Sequence, residues 1–118
     1  MAEDSKQVQQ LLNQAQLYQQ QIQNIMAQKE TLNIQLIEIG KALEELEKTT
    51  EGEVYKIAGP ILIKSKRVEV RKELKEREDA IRTRLKTMES GEKRIRERIE
   101  ALRDKLSAPA TKKKAVAE

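Results

Sequence analysis

The chain has no cysteine, no histidine, no phenylalanine and no tryptophan. Without cysteine it cannot form disulfides or thiolate metal sites, and without histidine it lacks the commonest metal ligand and the usual base at neutral pH. Its only aromatic rings belong to Tyr18 and Tyr55, so a thick aromatic core is not expected. The sequence therefore predicts no metal site and no cofactor, and it disfavours an enzyme.

Long hydrophobic runs are also missing. No apolar stretch approaches the roughly 20 residues that a membrane-spanning helix requires. The first four residues are acidic rather than basic, and no hydrophobic stretch of the kind found in a signal peptide follows them. We expect a cytoplasmic protein that does not enter a membrane.

Two stretches repeat apolar residues at alternating steps of three and four, a spacing that keeps one narrow stripe facing a partner helix, as in a coiled coil. The first stripe comprises Val8, Leu11, Ala15, Tyr18, Ile22, Ile25, Lys29, Leu32, Leu36, Ile39, Leu43 and Leu46. The second comprises Leu74, Glu78, Ile81, Leu85, Met88, Glu92, Ile95, Ile99, Leu102 and Leu106. A composition of 37% apolar and 37% charged residues suits such a thin seam better than a globular core.

The two stripes predict an antiparallel pair of helices within one chain. Residues 1–50 hold 4 basic and 7 acidic side chains, whereas residues 67–107 hold 14 basic and 10 acidic ones, so the two arms carry opposite net charge. Matching the stripes places Leu43 opposite Leu74 and Leu11 opposite Leu106, and a slip by one heptad would match the stripes as well. We expect one mainly α-helical domain over residues 1–118. Its predicted segments are helix one at 6–48, a β-hairpin at 53–64, helix two at 68–106 and a flexible, lysine-bearing tail at 107–118.

The segment between the stripes has two runs rich in β-branched residues, 53–57 and 61–64, on either side of Gly59-Pro60. This pattern is typical of a β-hairpin. Both runs place apolar side chains on both faces of the strands, because neighbouring side chains alternate. A lone hairpin is marginal in water and has open edges. We expect hairpins from several subunits to join into a closed sheet or barrel, with a loop that merely caps the coil as the alternative.

At the opposite end of the coil, Leu12 and Leu17 lie off the stripe. The last layers of a two-helix coil are only half covered there. Two interpretations stay open from the residues alone: a frayed and idle end, or a contact site for apolar partners.

A basic region in helix two suggests a rival function, nucleic-acid binding. It comprises Arg94, Arg96, Arg98, Arg103 and Lys105. Acidic residues interrupt it, and no aromatic side chains are available there to stack on bases. A coiled-coil scaffold that binds no client is the third reading.

The hairpin segment 54–64, Val-Tyr-Lys-Ile-Ala-Gly-Pro-Ile-Leu-Ile-Lys, resembles that of the β-type subunits of archaeal prefoldin. Four further segments support the resemblance, which extends over nearly the whole chain: 8–11 (Val-Gln-Gln-Leu), 18–21 (Tyr-Gln-Gln-Gln), 41–46 (Lys-Ala-Leu-Glu-Glu-Leu) and 73–76 (Glu-Leu-Lys-Glu). A glycine at position 91, inside the second stripe, departs from the family pattern.

The resemblance implies an ATP-independent chaperone subunit. In that family, two α-type and four β-type subunits form a hexamer whose hairpins build a double β-barrel. The tips of the coils hold unfolded polypeptides and deliver them to a group II chaperonin. The β-type subunits have one hairpin between their helices, as expected here.

The resemblance also assigns roles to residues. Assembly would use Val54, Tyr55, Ile57, Ile61, Leu62 and Ile63. Client binding would use Val8, Leu11, Leu12, Ala15, Leu102 and Leu106. Chaperonin docking would use Arg103, Lys105, Lys112, Lys113 and Lys114.

Overall fold

The fold is two long helices joined by a two-stranded antiparallel sheet, as the stripes and the hairpin segment predict. The computed structural model describes residues 2–117, and the side chains of residues 4–107. Along the chain the elements are α1 (Ala2–Lys48), β1 (Glu53–Ala58), β2 (Ile61–Lys66) and α2 (Arg67–Ala117). The predicted order of elements, a helix, a hairpin and a second helix, is therefore confirmed.

The bounds of the helices differ from the expected ones. Helix α1 begins at Ala2 rather than near residue 6, and α2 continues to Ala117 rather than ending at residue 106 before a flexible tail. Pro109 lacks an N–H, so its presence removes one backbone hydrogen bond to the carbonyl of Lys105. The residues after it are mostly alanine and lysine, which are strong helix formers, and this explains why the helix continues past the expected stop.

The described chain divides into two compact units. The first unit contains residues 1–28 and 87–118, and the second contains residues 29–86. Each unit has its own part of the apolar seam. In the first unit the buried side chains are Ile22, Ile99 and Leu102; in the second they are Leu32, Ile39, Leu43, Leu46, Ile81 and Leu85. All of them belong to the two stripes, which shows that heptad spacing located the core.

Contacts within each unit agree with the pairing that the stripes predict. In the second unit Arg71 contacts Glu47, and in the first unit Gln19 and Ile99 line the same shallow depression. Both pairs are within one residue of the predicted alignment. The outer surfaces of the two helices are rich in polar and charged side chains. Over the residues that the structure describes, neither helix combines the length and apolar character needed to cross a lipid bilayer.

The two strands pair in a continuous register that runs from Glu53 opposite Lys66 to Ala58 opposite Ile61. This leaves a two-residue turn of Gly59 and Pro60. Gly59 has a φ of +60°, and the ring of Pro60 holds its own φ negative. That combination has the sign pattern of a type II′ turn, which matches the twist of a hairpin and needs glycine at its first central position.

The alignment of the first unit can be tested with a disulfide, since the chain has no native cysteine. We expect Ala15→Cys/Leu102→Cys to crosslink readily under mild oxidation, because the two positions face each other across the seam. The matched control is Ala15→Cys/Ile95→Cys, which is displaced by one heptad. Mobility on non-reducing gels measures the yield, and faster crosslinking of the control than of the test pair would disprove this alignment.

Candidate functional site

The hairpin is tied to the ends of both helices through Arg67, the first residue of α2. Its backbone N–H donates to the carbonyl of Gly52 at 2.8 Å, and its Nε donates to the carbonyl of Leu46 at 2.7 Å. The last carbonyls of a helix have no partners within the helix, and a cation near them is favourable. This role is not predictable from the local sequence, because nothing in it shows that Arg67 returns to the end of α1.

Two ion pairs add to this attachment. Lys56 Nζ on β1 lies 2.7 Å from Glu73 Oε2 on α2, and Arg71 Nε lies 2.8 Å from Glu47 Oε1. The hydrogen bond from Lys56, aided by its charge, lowers the pKa of Glu73 below its ordinary value of 4.5. Arg71 lowers the pKa of Glu47 in the same way. Lys56 therefore links one face of the hairpin to α2.

Strand alternation and the observed register sort the hairpin side chains into two faces. The inner hairpin face comprises Val54, Lys56, Ala58, Ile61, Ile63 and Ser65. The outer hairpin face comprises Glu53, Tyr55, Ile57, Leu62, Lys64 and Lys66. Val54, Ala58 and Ser65 on the inner face are half-buried, consistent with its contact with α2.

The outer hairpin face exposes a compact apolar group. Ile57 and Leu62 are directly paired and are 76% and 66% exposed, and Tyr55 beside them is 68% exposed. An ion pair between Glu53 and Lys64, at 2.7 Å, borders the group on the side away from the turn. Exposed β-branched and aromatic side chains on a sheet with two open edges favour association with other strands. The six predicted assembly residues therefore divide between two faces, of which the outer one is the more exposed.

The second candidate surface is the coil end, defined here as residues 4–23 of α1 and 95–107 of α2, both in the first unit. Val8 and Leu12 are exposed there, and Leu11, Ala15 and Leu106 are half-buried. Leu102, by contrast, is only 6% exposed. It lies in the seam and supports the coil end, so it presents no surface to a client.

Other apolar side chains are exposed on α1 outside the predicted client set. Leu17 is 57% exposed at the coil end, and Met26 is half exposed further along the same helix. Both lie off the heptad stripe, and that departure from the period is the sequence signal that identifies them. The Sδ of Met26 lies 4.0 Å from the guanidinium of Arg96, which also pairs with Glu92 at 2.9 Å.

The predicted docking residues are only partly described. Arg103 and Lys105 are exposed, near the end of the part of α2 whose side chains are described. The side chains of Lys112, Lys113 and Lys114 lie outside the described residues. Asp104 lies between the two described cations in sequence.

Comparison with known proteins finds one family and several close relatives. The family model described as "Prefoldin subunit" matches residues 9–113. The chain is 40% identical over 101 residues to the prefoldin subunit beta of Thermococcus onnurineus, covering 85% of this chain and 87% of that protein. It is also 40% identical over 107 residues to the prefoldin subunit beta of Archaeoglobus fulgidus, covering 90% and 92%.

A solved structure shares the same architecture. The crystal structure of the prefoldin beta subunit from Thermococcus strain KS-1 superposes with a TM-score of 0.79 at 34% sequence identity. The alignment covers 87% of this chain and 91% of that one. The similarity therefore includes both helices and the hairpin between them.

The ion pair between Lys56 and Glu73 predicts a pH-dependent contribution to stability. Because the pKa of Glu73 is lower in the folded state, the contribution is present above about pH 4.5 and is lost as the pH falls through the folded pKa. We expect Glu73→Gln to lower the melting temperature at pH 7, and the gap from the parent protein to close at about pH 2. The pair is exposed, so the shift is small.

Circular dichroism melts at both pH values measure this gap, with Glu76→Gln on the same helix as the control. A gap for Glu73→Gln that is the same at both pH values would contradict the role of this ion pair.

Proposed function

This chain belongs to the prefoldin family as a chaperone subunit, and we propose that it holds unfolded polypeptides at the coil end without using ATP. The observation that carries the proposal is the exposure of three apolar side chains of α1 at the coil end, Val8, Leu12 and Leu17. Unfolded chains expose apolar segments, and contact with such a group removes apolar surface of both partners from water. Each contact is small, so it is also readily released.

Assembly supplies the affinity that one coil end lacks. Prefoldin subunits form hetero-oligomeric complexes. We infer that this chain assembles with α-type subunits, two with four of the β type, and that the hairpins of neighbouring subunits join in a β-barrel. Several coil ends on one assembly raise the effective concentration of binding sites for a client. The exposed outer hairpin face supports this arrangement, since it offers an apolar surface and open strand edges.

The last step that we propose is the transfer of the bound client to a chaperonin. We infer that clients pass to a group II chaperonin in the cytoplasm, and that Arg103 and Lys105 contribute to docking on it. Both cations are exposed, as docking requires. The chain has no GxxxxGK[ST] motif, so its sequence offers no P-loop for a nucleotide-driven step.

Client holding can be measured as suppressed aggregation. The complex of this chain with an α-type subunit is mixed, without ATP, with a chemically unfolded protein diluted from denaturant, and light scattering is followed. We expect the parent complex to suppress scattering and Val8→Ser/Leu12→Ser/Leu17→Ser to lose most of that activity, because the apolar contact surface is removed.

The control for the client-holding test is Ile34→Ser/Ile37→Ser, which removes exposed apolar side chains of α1 in the second unit. It is expected to retain the parent activity. A parent complex that leaves aggregation unchanged would overturn the proposed function. An equal loss of aggregation suppression in both variants would show that the client contact is not confined to the coil end.

Assembly through the hairpin gives a separate test. We expect Ile57→Asp/Leu62→Asp to disperse the oligomer, because it places two carboxylates in the apolar group of the outer hairpin face. Ile61→Asp/Ile63→Asp is expected to have the same effect from the inner face. Sedimentation velocity reports the assembly size, with Leu17→Asp on α1 as the control. An oligomer that survives both hairpin variants would exclude the hairpin as the joining element.

A further inference from the structure

We propose that an amide-bearing face of α1 in the first unit binds the backbone of an extended, unfolded polypeptide, alongside the apolar contacts of the coil end. The inference rests on the proposed function and specifies how the same surface recognises its clients. Recognition through peptide groups would make capture independent of the client's sequence and charge.

Residues 7–28 contain no charged side chain, in a chain of which 37% is charged. Of these 22 residues, 12 are glutamine or asparagine and the other 10 are apolar or tyrosine. All 12 carboxamide side chains are exposed. The outer face of a coiled coil usually carries lysine and glutamate, which keep it solvated. The α2 residues of the same unit follow that rule, so the lack of charge is specific to α1.

One group of these side chains lies together on a single face. A shallow depression on α1 is lined by these amides together with Leu12 and Ala15; the amide residues are Gln9, Asn13, Gln16, Gln19, Gln20 and Gln23. The spacing of three and four residues explains the grouping, since such positions are neighbours on a helix. Leu12 therefore lies among amides, and the apolar contact of the coil end is continuous with this face.

Carboxamides match the hydrogen-bonding groups of a polypeptide backbone. Each one offers two N–H donors and an acceptor oxygen, and each peptide group offers one N–H and one C=O. An unfolded segment has no secondary structure to satisfy these groups. Gln9 donates to Asn13 at 3.2 Å and Gln14 to Tyr18 at 3.2 Å. The side chains of Gln16, Gln20 and Gln23 are exposed along the same face and offer their amides to a bound segment.

The absence of charge favours a client over other occupants. A neutral face neither attracts nor repels unfolded proteins of either net charge, whereas a nucleic acid would require cations. Amides also satisfy each other in ladders, so a second copy of this chain is the occupant that the test must separate from a client. Each hydrogen bond formed replaces one with water, so the net gain is modest and the Leu12 contact remains necessary.

The test compares two labelled peptides on the assembled complex. One is a short, unstructured peptide of leucine, alanine and serine, and the other has the same side chains with alternate backbone nitrogens methylated. Fluorescence anisotropy gives the dissociation constants. We expect Gln16→Ala/Gln20→Ala/Gln23→Ala to bind the first peptide about five- to tenfold more weakly. The loss of affinity for the methylated peptide is expected to be smaller, because its methylated nitrogens cannot donate although its carbonyls still accept. Alanine keeps the helix, since it is the best helix former.

Two controls define the outcomes. Asn33→Ala/Gln35→Ala removes exposed amides in the second unit and is expected to change neither dissociation constant. Leu12→Ser is expected to weaken the binding of both peptides to the same extent. If the triple variant binds each peptide as tightly as the parent does and still suppresses aggregation, this inference is overturned and the proposed function stays intact. Loss of self-association in the triple variant without any change in peptide binding also overturns it, and assigns the face to a second copy. Absence of peptide binding together with absence of suppression overturns both proposals.

Discussion

The narrow apolar seam between the helices is the constraint on which the other features depend. Two helices can bury only the side chains that face each other, and the nine buried apolar side chains of the described residues all lie on the heptad stripes. The molecule is therefore built to present surfaces, and its function depends on what the seam leaves uncovered.

Two sets of uncovered apolar side chains have different neighbours. On the outer hairpin face, Ile57 and Leu62 lie on a sheet with open edges, where more strands can pair. At the coil end, Val8 and Leu12 lie beside exposed carboxamides, where no backbone edge is available. The first environment favours permanent association with other subunits, and the second favours a weak and reversible contact with a polypeptide.

The hairpin can act as a joining element only if it is held in a defined orientation. Arg67 bonds the end of α1 and the loop before β1, and Lys56 reaches Glu73 on α2. These contacts leave the inner hairpin face half-covered and the outer hairpin face open. A flexible hairpin with the same sequence would expose both faces equally and would lose much of its pairing energy to conformational entropy.

The sequence by itself determined the seam, the place of the turn and, to within one heptad, the alignment of the helices, because heptad spacing and Gly59-Pro60 are local patterns with strong structural meaning. It also identified the chaperone family through the hairpin segment. Only the tertiary structure decided that Leu102 is buried, that Arg67 ties the two helices, and which face of the hairpin is open. These depend on how far a neighbouring element covers each side chain, and sequence spacing alone does not give that coverage. The continuation of α2 past Pro109 likewise required the balance between one lost hydrogen bond and the helix propensity of the residues that follow.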